Sequence, residues 1–240
     1  MSDKMGIWSA AKKTDPSATK VNTNGGFKST SINGYWMIQK ATEIWGPIGA
    51  DWGYEILEER FDEGAPISDK ETGVILCKTV MHTIKLGLFF PGSTKPVIQY
   101  GHTPYIYNSK HGPITDTEAP KKSLMDAIKK SLSMLGFSAD VFQGEFDDVE
   151  YIKERQGEEA IKKAEDKEAE AERQKAEYKK EIDGLMKTMQ GAVSMADLEG
   201  VFKTAYRKMS RRGDDAGVKK FTLEKDKIKS RLEKANDRAA

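Results

Sequence analysis

Four lysines on one stretch of this chain have the spacing to do chemistry. Lys121, Lys122, Lys129 and Lys130 lie within 119–135, around Leu124, Ile128, Leu132 and Leu135. At 100° per residue those four apolar positions fall within an arc of about 80°, so they read as one face of a helix. Lys122, Lys129 and Lys130 fall on the opposite side, with Ser133. One face can then pack on a core while the other presents cations, the chemistry that holds phosphates.

The rival chemistries are weaker. Gly87 to Thr94 has the glycine spacing of a phosphate-binding P-loop, but Ser93 stands where that loop needs its lysine, and Lys95-Pro96 leads into another strand rather than a helix. A hairpin turn is expected there. His82, His102 and His111 share no metal-ligand spacing, and no Ser/His/Asp set has a trustworthy one. Asp147-Asp148 reads as an exposed turn. Tyr35, Trp36, Trp45 and Trp52 cluster around a first helix and strand. Aromatics among lysines can stack bases, and burial in a core is their commoner fate. No catalytic residue, cofactor or metal is expected.

The elements that must position these residues follow from periodicity. Residues 1–30 are rich in Lys, Ser, Thr, Asn and Gly, with Asn24, Gly25 and Gly26 at their end, and read as a loose arm that Ile7 and Trp8 could anchor. A helix is expected over 34–45, where Met37, Ala41 and Ile44 share a face and Gly46-Pro47 stops it. Strands are expected at Trp52–Phe61, Val74–Leu88 and Val97–Tyr107, with Leu76, Val80, Ile84 and Leu86 on one side of the second. Asp62-Glu63-Gly64 and Pro91-Gly92-Ser93 serve as turns, which makes a three-stranded antiparallel meander. The next helix should open at a capping box, Thr115 to Glu118, and end at Gly136. The fold class is α+β.

Composition changes at Glu154. Residues 154–181 are a charged run of Glu, Lys, Ala, Gln and Arg, expected as a solvated helical linker. Residues 182–240 carry three helical patterns: Leu185, Met189 and Val193; then Leu198 to Met209 behind a Ser194 cap; then Leu223, Ile228 and Leu232. In the second, Lys203, Arg207, Lys208, Arg211 and Arg212 read either as a solvated helix end or as a basic surface for an acidic partner.

Charge and composition bound the function. The chain of 240 residues has a net charge of +1, so a uniformly basic nucleic-acid coat is excluded. Residues 1–150 hold 16 basic against 19 acidic residues, and the rest hold 23 against 19, so an anion-binding site must be a local stripe. One cysteine, Cys77, excludes an internal disulfide and a thiolate zinc cluster. No apolar run approaches the ~20 residues of a membrane span, and the N-terminus lacks a secretory core. A reducing cytoplasm is the expected compartment.

Two blocks carry a resemblance. Ile32-Asn-Gly-Tyr-Trp-Met-Ile-Gln-Lys-Ala-Thr-Glu-Ile-Trp-Gly46, followed by Trp52-Gly53, is the first. Ala119-Pro-Lys-Lys-Ser-Leu-Met-Asp-Ala-Ile-Lys-Lys-Ser-Leu-Ser-Met-Leu-Gly-Phe137, running on to Phe146-Asp-Asp-Val-Glu-Tyr-Ile-Lys153, is the second. Together, over residues 31–153, they resemble the bacteriophage single-strand annealing proteins of the Sak type, which are similar to the annealing domain of the eukaryotic Rad-class recombination mediator. The resemblance implies a ring or helical homo-oligomer that binds single-stranded DNA and anneals it with a complement, without ATP, in an infected bacterial host. It implies groove contacts at Lys129 and Lys130, with Lys121 and Lys122 on the same helix. It further implies a contact at Lys153 and an outer one at Lys85. The groove arginine of the eukaryotic relatives is replaced by Trp36, for which stacking by Trp36 or charge from Lys40 would substitute. Residues 182–240 would engage a host single-strand-binding protein or a companion exonuclease. The alternative is a protein that binds and protects single-stranded DNA without annealing it.

Overall fold

The computed structural model describes residues 4–23 and 29–237, and it divides between Arg155 and Gln156. The class is α+β. The first unit opens with α1 (Gly6–Ala11), a 3-10 turn (Pro16–Ala18) and a small antiparallel pair, β1 (Thr19–Asn22) with β2 (Ser29–Ile32). Helix α2 (Gly34–Trp45) follows. A four-stranded antiparallel sheet then runs in chain order through β3 (Gly53–Ser68), β4 (Ile75–Phe89), β5 (Val97–Ser109) and β6 (Gly112–Thr115). Helix α3 (Ala119–Ser133) packs on β4 and β5, and α4 (Ala139–Phe142) and the first turns of α5 (Val149–Lys163) complete the unit.

Local chemistry explains most boundaries. Asn33 caps α2 by accepting from the Tyr35 amide at 3.0 Å, and Gly46, at φ +95°, ends it. Pro91-Gly92-Ser93 turns between β4 and β5, with the Ser93 hydroxyl accepting from the Phe90 amide. The other expected turn is displaced. Asp62-Glu63-Gly64 lies inside β3, where the register shifts between Glu63 and Pro66, and the chain reverses at Asp69–Val74 instead. Gly64 sits against Thr79, so this glycine serves a bulge rather than a turn. The sheet also gains β6, four residues after a tight reversal at Gly112 (φ +107°), so the meander has four strands and not three. Its Pro113 suits an edge strand, which needs no outward N–H. No Thr115–Glu118 capping box opens α3: the Asp116 carboxylate accepts the Glu118 amide at 3.1 Å.

The core gathers Met37, Ala41 and Trp45 of α2, Ile84, Leu86 and Leu88 of β4, Ile128 and Leu132 of α3, and Phe137. Trp45 is its aromatic hub, stacked on Phe90 and edge-on to Trp52 and Phe137 at centroid distances of 5.5, 5.8 and 4.9 Å. The outer half of β4 is bare: Ile75 and Leu76 are exposed, whereas Ile84, Leu86 and Leu88 are buried. Helix α3 is also rotated from the expected stripe. Ser123, Ala127 and Ser131, spaced by four, are fully buried against the sheet. The reason is a close approach. A Cβ on Gly101 of β5 would lie 1.8 Å from the Ser123 carbonyl oxygen and 2.8 Å from the Ala127 nitrogen. Only small side chains on α3 and none on Gly101 allow that contact.

The N-terminal segment is not a loose arm over its described residues; Asn24, Gly25 and Gly26 lie outside them. Trp8 covers Gly136, and the carbonyls of Ala11 and Lys12 accept from the Ser138 and Asp140 amides at 3.1 and 3.3 Å. Asp140, 3 % exposed, accepts from the Thr14 amide (2.8 Å), the Thr14 hydroxyl (2.6 Å), the Tyr151 hydroxyl (2.9 Å) and its neighbour's amide. Arg155, also buried, donates from Nε to the Thr14 carbonyl at 3.3 Å. Burial, and then the hydrogen bond to Asp140, hold the Tyr151 phenol above its ordinary range. A buried carboxylate with four donors is stable only while all four are in place. The polar composition of residues 4–23 hides this clamp.

In the second unit, α6 (Lys167–Gln190), α7 (Met195–Arg211) and α8 (Asp215–Asp237) pack around Met189, Leu198, Ala205, Met209, Phe221 and Ile228. Ser194 caps α7, accepting from the Asp197 amide at 3.1 Å. Val193 and Leu223, expected in the apolar stripes, are exposed. Helix α6 runs across the expected linker boundary at 181/182, and Tyr178 already packs on this core.

Two substitutions test the first unit. Gly101→Ala should destabilise it by about 3 kcal/mol, because α3 must lift off β5 to admit a methyl group. Asp140→Ala should cost about 3 kcal/mol by removing the acceptor of the Thr14 amide, the Thr14 hydroxyl and the Tyr151 hydroxyl, while the Val141 amide keeps the Ser138 carbonyl. Urea unfolding of each variant, read as a lower midpoint, checks both.

Candidate nucleic-acid interface

Seating α3 by its small-residue face splits its lysines into two rows. Lys122, Asp126 and Lys130, spaced by four, run along the side that meets the outer edge of β5. Between Val97 and Tyr105 that edge has no strand beyond it among the described residues. Helix α3 supplies the missing partners. The Asp126 carboxylate accepts from the His102 amide at 3.3 Å, and Lys130 Nζ donates to the Tyr100 carbonyl at 3.2 Å and to Asp126 at 2.7 Å. Lys122 is engaged by Asp116, whose carboxyl it holds below the ordinary range through their hydrogen bond. Of the expected groove lysines, Lys130 therefore helps close a sheet edge and Lys122 is held in an ion pair with Asp116.

Lys121, Met125 and Lys129 form the second row, again spaced by four, beside the start of α2. A Cβ on Gly34 would meet Met125 Sδ at 2.2 Å and Lys129 Cδ at 3.4 Å, so the absent side chain lets the two helices approach. Lys121 pairs with Glu118 at 3.1 Å, and the pair is exposed at both ends. Glu118 first, and the Tyr35 phenol as well, raise the Lys121 ammonium above its ordinary range. Exposed pairs of this kind contribute little and exchange readily with other anions. No ion pair engages Lys129 among the described residues.

The other expected site residues do not join this row. Trp36 is half-buried and packs on the core. Tyr35, its neighbour, projects outward and is 67 % exposed. A helical wheel separates the two cases: Tyr35 falls about 160° from the buried Met37, and Trp36 only about 100°. Lys40 pairs with Glu43 at 2.9 Å on α2. Lys85 faces the other side of the sheet. It is in register with Tyr100, over whose ring its Nζ sits at 5.7 Å, while the adjacent pair Ile84/Gly101 faces α3. Lys153 pairs with Glu150 at 3.6 Å on α5.

The rival constellations resolve into structure. Ser93 belongs to the β4–β5 hairpin. Buried His82 lies 3.0 Å from Glu59 through Nε2 and edge-on to Phe61 at 4.7 Å. His102 Nδ1 lies 3.2 Å from the Thr83 hydroxyl, which donates to Asp62. Among the described residues no three His, Cys, Asp or Glu side chains converge as a metal site requires. Asp148 accepts the Glu150 amide at 2.9 Å and starts α5. In the second unit, buried Lys208 pairs with Glu181, and Arg212 lies 4.5 Å from the centroid of Tyr178. Those two cations of the expected basic surface staple α7 to α6 instead.

No family model and no curated protein matches the chain. No described helix is long and apolar enough to cross a membrane.

The two rows make opposite predictions for neighbouring residues. Lys130→Ala should lower stability by about 1 kcal/mol through the lost edge bonds. Lys129→Ala should leave stability within about 0.5 kcal/mol. Thermal melts of the two single variants, compared with the parent, read the difference.

Proposed function

We propose that the chain binds single-stranded DNA and anneals complementary strands without ATP, as a homo-oligomeric ring or filament of the phage Sak type. The observation that carries this reading is the Lys121–Met125–Lys129 row on α3 beside the exposed start of α2. The row supplies positive charge on a rigid helix, and it contains no group that would read a base. Lysine is a compact point charge that binds phosphate without a sequence code. The net charge of +1 supports the same reading, since binding then depends on this local row and on its repetition around an oligomer.

Lys121 and Lys129 are the primary phosphate contacts in this proposal. Lys122 and Lys130 lend field to the groove while Lys130 holds the sheet edge and Lys122 stays paired with Asp116. Lys85 serves a separate surface on the opposite face of the sheet, and Lys153 and Lys40 are secondary. The annealed duplex is a transient occupant. The second unit engages an acidic partner, such as the tail of a host single-strand-binding protein, or a companion exonuclease, through cations other than Lys208 and Arg212. The protein breaks no covalent bond and works in the cytoplasm of the infected cell.

Annealing of two complementary oligonucleotides should be accelerated equally with and without ATP. The Lys121→Ala/Lys129→Ala variant should bind more weakly, with the slope of log K against log salt reduced by ~1.4, two contacts at ~0.7 each. Binding and protection without acceleration would make this a DNA-protecting protein. An unchanged slope in a folded variant would move the groove elsewhere.

A further inference from the structure

Tyr35 is the exposed aromatic that the proposed function leaves without a task. It stands on the first turn of α2, held by the Asn33 cap, whose side chain accepts its backbone amide at 3.0 Å. Its ring is 67 % exposed, although Trp36 beside it packs on the core. The Lys121–Met125–Lys129 row runs past it. Gly34, the residue before it, is in contact with Met125 and Lys129. Two lysines eight residues apart on one helix are ~12 Å apart along its axis, and Gly34, next to Tyr35 in the chain, lies against the middle and far end of that row. Other cations of this surface are neutralised: Lys122 by Asp116, Lys130 by Asp126 and Lys40 by Glu43. An aromatic face and Lys129, which no ion pair engages, are what remain for a ligand that is both anionic and flat.

We propose that Tyr35 is a base-stacking platform of the groove, holding one base by its face while Lys121 and Lys129 hold the flanking phosphates. The inference rests on the reading of the groove as a single-strand site. Stacking uses the π-face that every base has, so it adds affinity without sequence preference. It also leaves the Watson–Crick edge of that base open to a complementary strand, as annealing requires. Tyr35 is a binding residue here and touches no reacting bond.

Direct binding to a single-stranded oligonucleotide carrying one 2-aminopurine tests this, because that base loses fluorescence when it stacks. The parent protein should quench it. Tyr35→Leu keeps bulk without a ring and should bind roughly tenfold more weakly, with the quench lost and the salt slope unchanged, because no phosphate contact is removed. Tyr35→Phe should behave like the parent, and Tyr35→Trp should bind at least as tightly with a deeper quench. Lys129→Ala should show the converse, a shallower salt slope with the quench retained. Parent-like affinity and quench in Tyr35→Leu would overturn the platform while leaving the groove intact. Failure of the parent to bind single strands would overturn both. Every position is exposed or half-buried, so circular dichroism should show each variant folded.

Discussion

The contact between Gly101 and the backbone of α3 governs the rest of the first unit. A helix packed on a sheet through large side chains can slide and rotate. A helix whose carbonyl at Ser123 occupies the space of a missing Cβ cannot. Ser123, Ala127 and Ser131 must then face the sheet, and every other residue of α3 takes its position from that choice. Asp126 and Lys130 arrive over the bare edge of β5, Leu124 and Ile128 turn toward the core with α2, and Lys121 and Lys129 are left outside beside Gly34.

The sheet's two edges are managed by different physics. On β5, side chains of α3 substitute for a strand by capping the Tyr100 carbonyl and the His102 amide, and Pro113 removes a donor from β6. On β3 the protection is electrostatic and geometric. Glu55, Glu58, Glu59, Asp62 and Glu63 load the strand with negative charge, and register shifts interrupt it after Ile56 and after Glu63. Pairing of two copies of β3 would set carboxylates near carboxylates, with Arg60, held between Glu58 and Asp62, the one cation in that run. If copies associate, the surfaces that do so must answer the acidic strand with positive charge, or avoid it.

The helices and the inner strands were legible because their signals are local and strong: the Met37/Ala41/Ile44 period, the Gly46-Pro47 stop, the Pro91-Gly92 turn and the Ser194 cap all act within a few residues. Four features were not. The bulge at Gly64 looks like a turn until Thr79 is seen against it. The true seam of α3 contains two serines, which an apolar count skips. The N-terminal clamp joins Thr14 to Asp140 across 126 positions, and no local pattern encodes such a pair. The division of lysines between an edge and a groove depends on the rotation of α3 by the Gly101 contact. The cations were visible as a cluster, but which were already spent was not. Tyr35 shows the converse: its exposure follows from the wheel of α2, once Met37 rather than Trp36 sets the buried direction.

An annealing protein faces a conflict between grip and release of information. Hydrogen bonds to base edges would grip well and would hide the edges from the second strand. Contacts to phosphate leave the edges free, and their strength falls with salt, so they also let strands exchange. A purely cationic groove invites aggregation on any polyanion, and this chain tempers that by pairing Lys122, Lys130 and Lys40 with Asp116, Asp126 and Glu43 on the first unit and Lys208 with Glu181 on the second. The α3 row offers little charge per copy, Lys129 and the exposed Lys121–Glu118 pair, so in the proposed groove affinity comes from repetition along a continuous strand. Stacking is the one further interaction that adds grip per nucleotide without covering an edge or raising the charge. An exposed aromatic ring near Lys129 and the loosely paired Lys121 is therefore what the physics of the proposed site calls for, and the fold leaves Tyr35 exposed while sending Trp36 to the core.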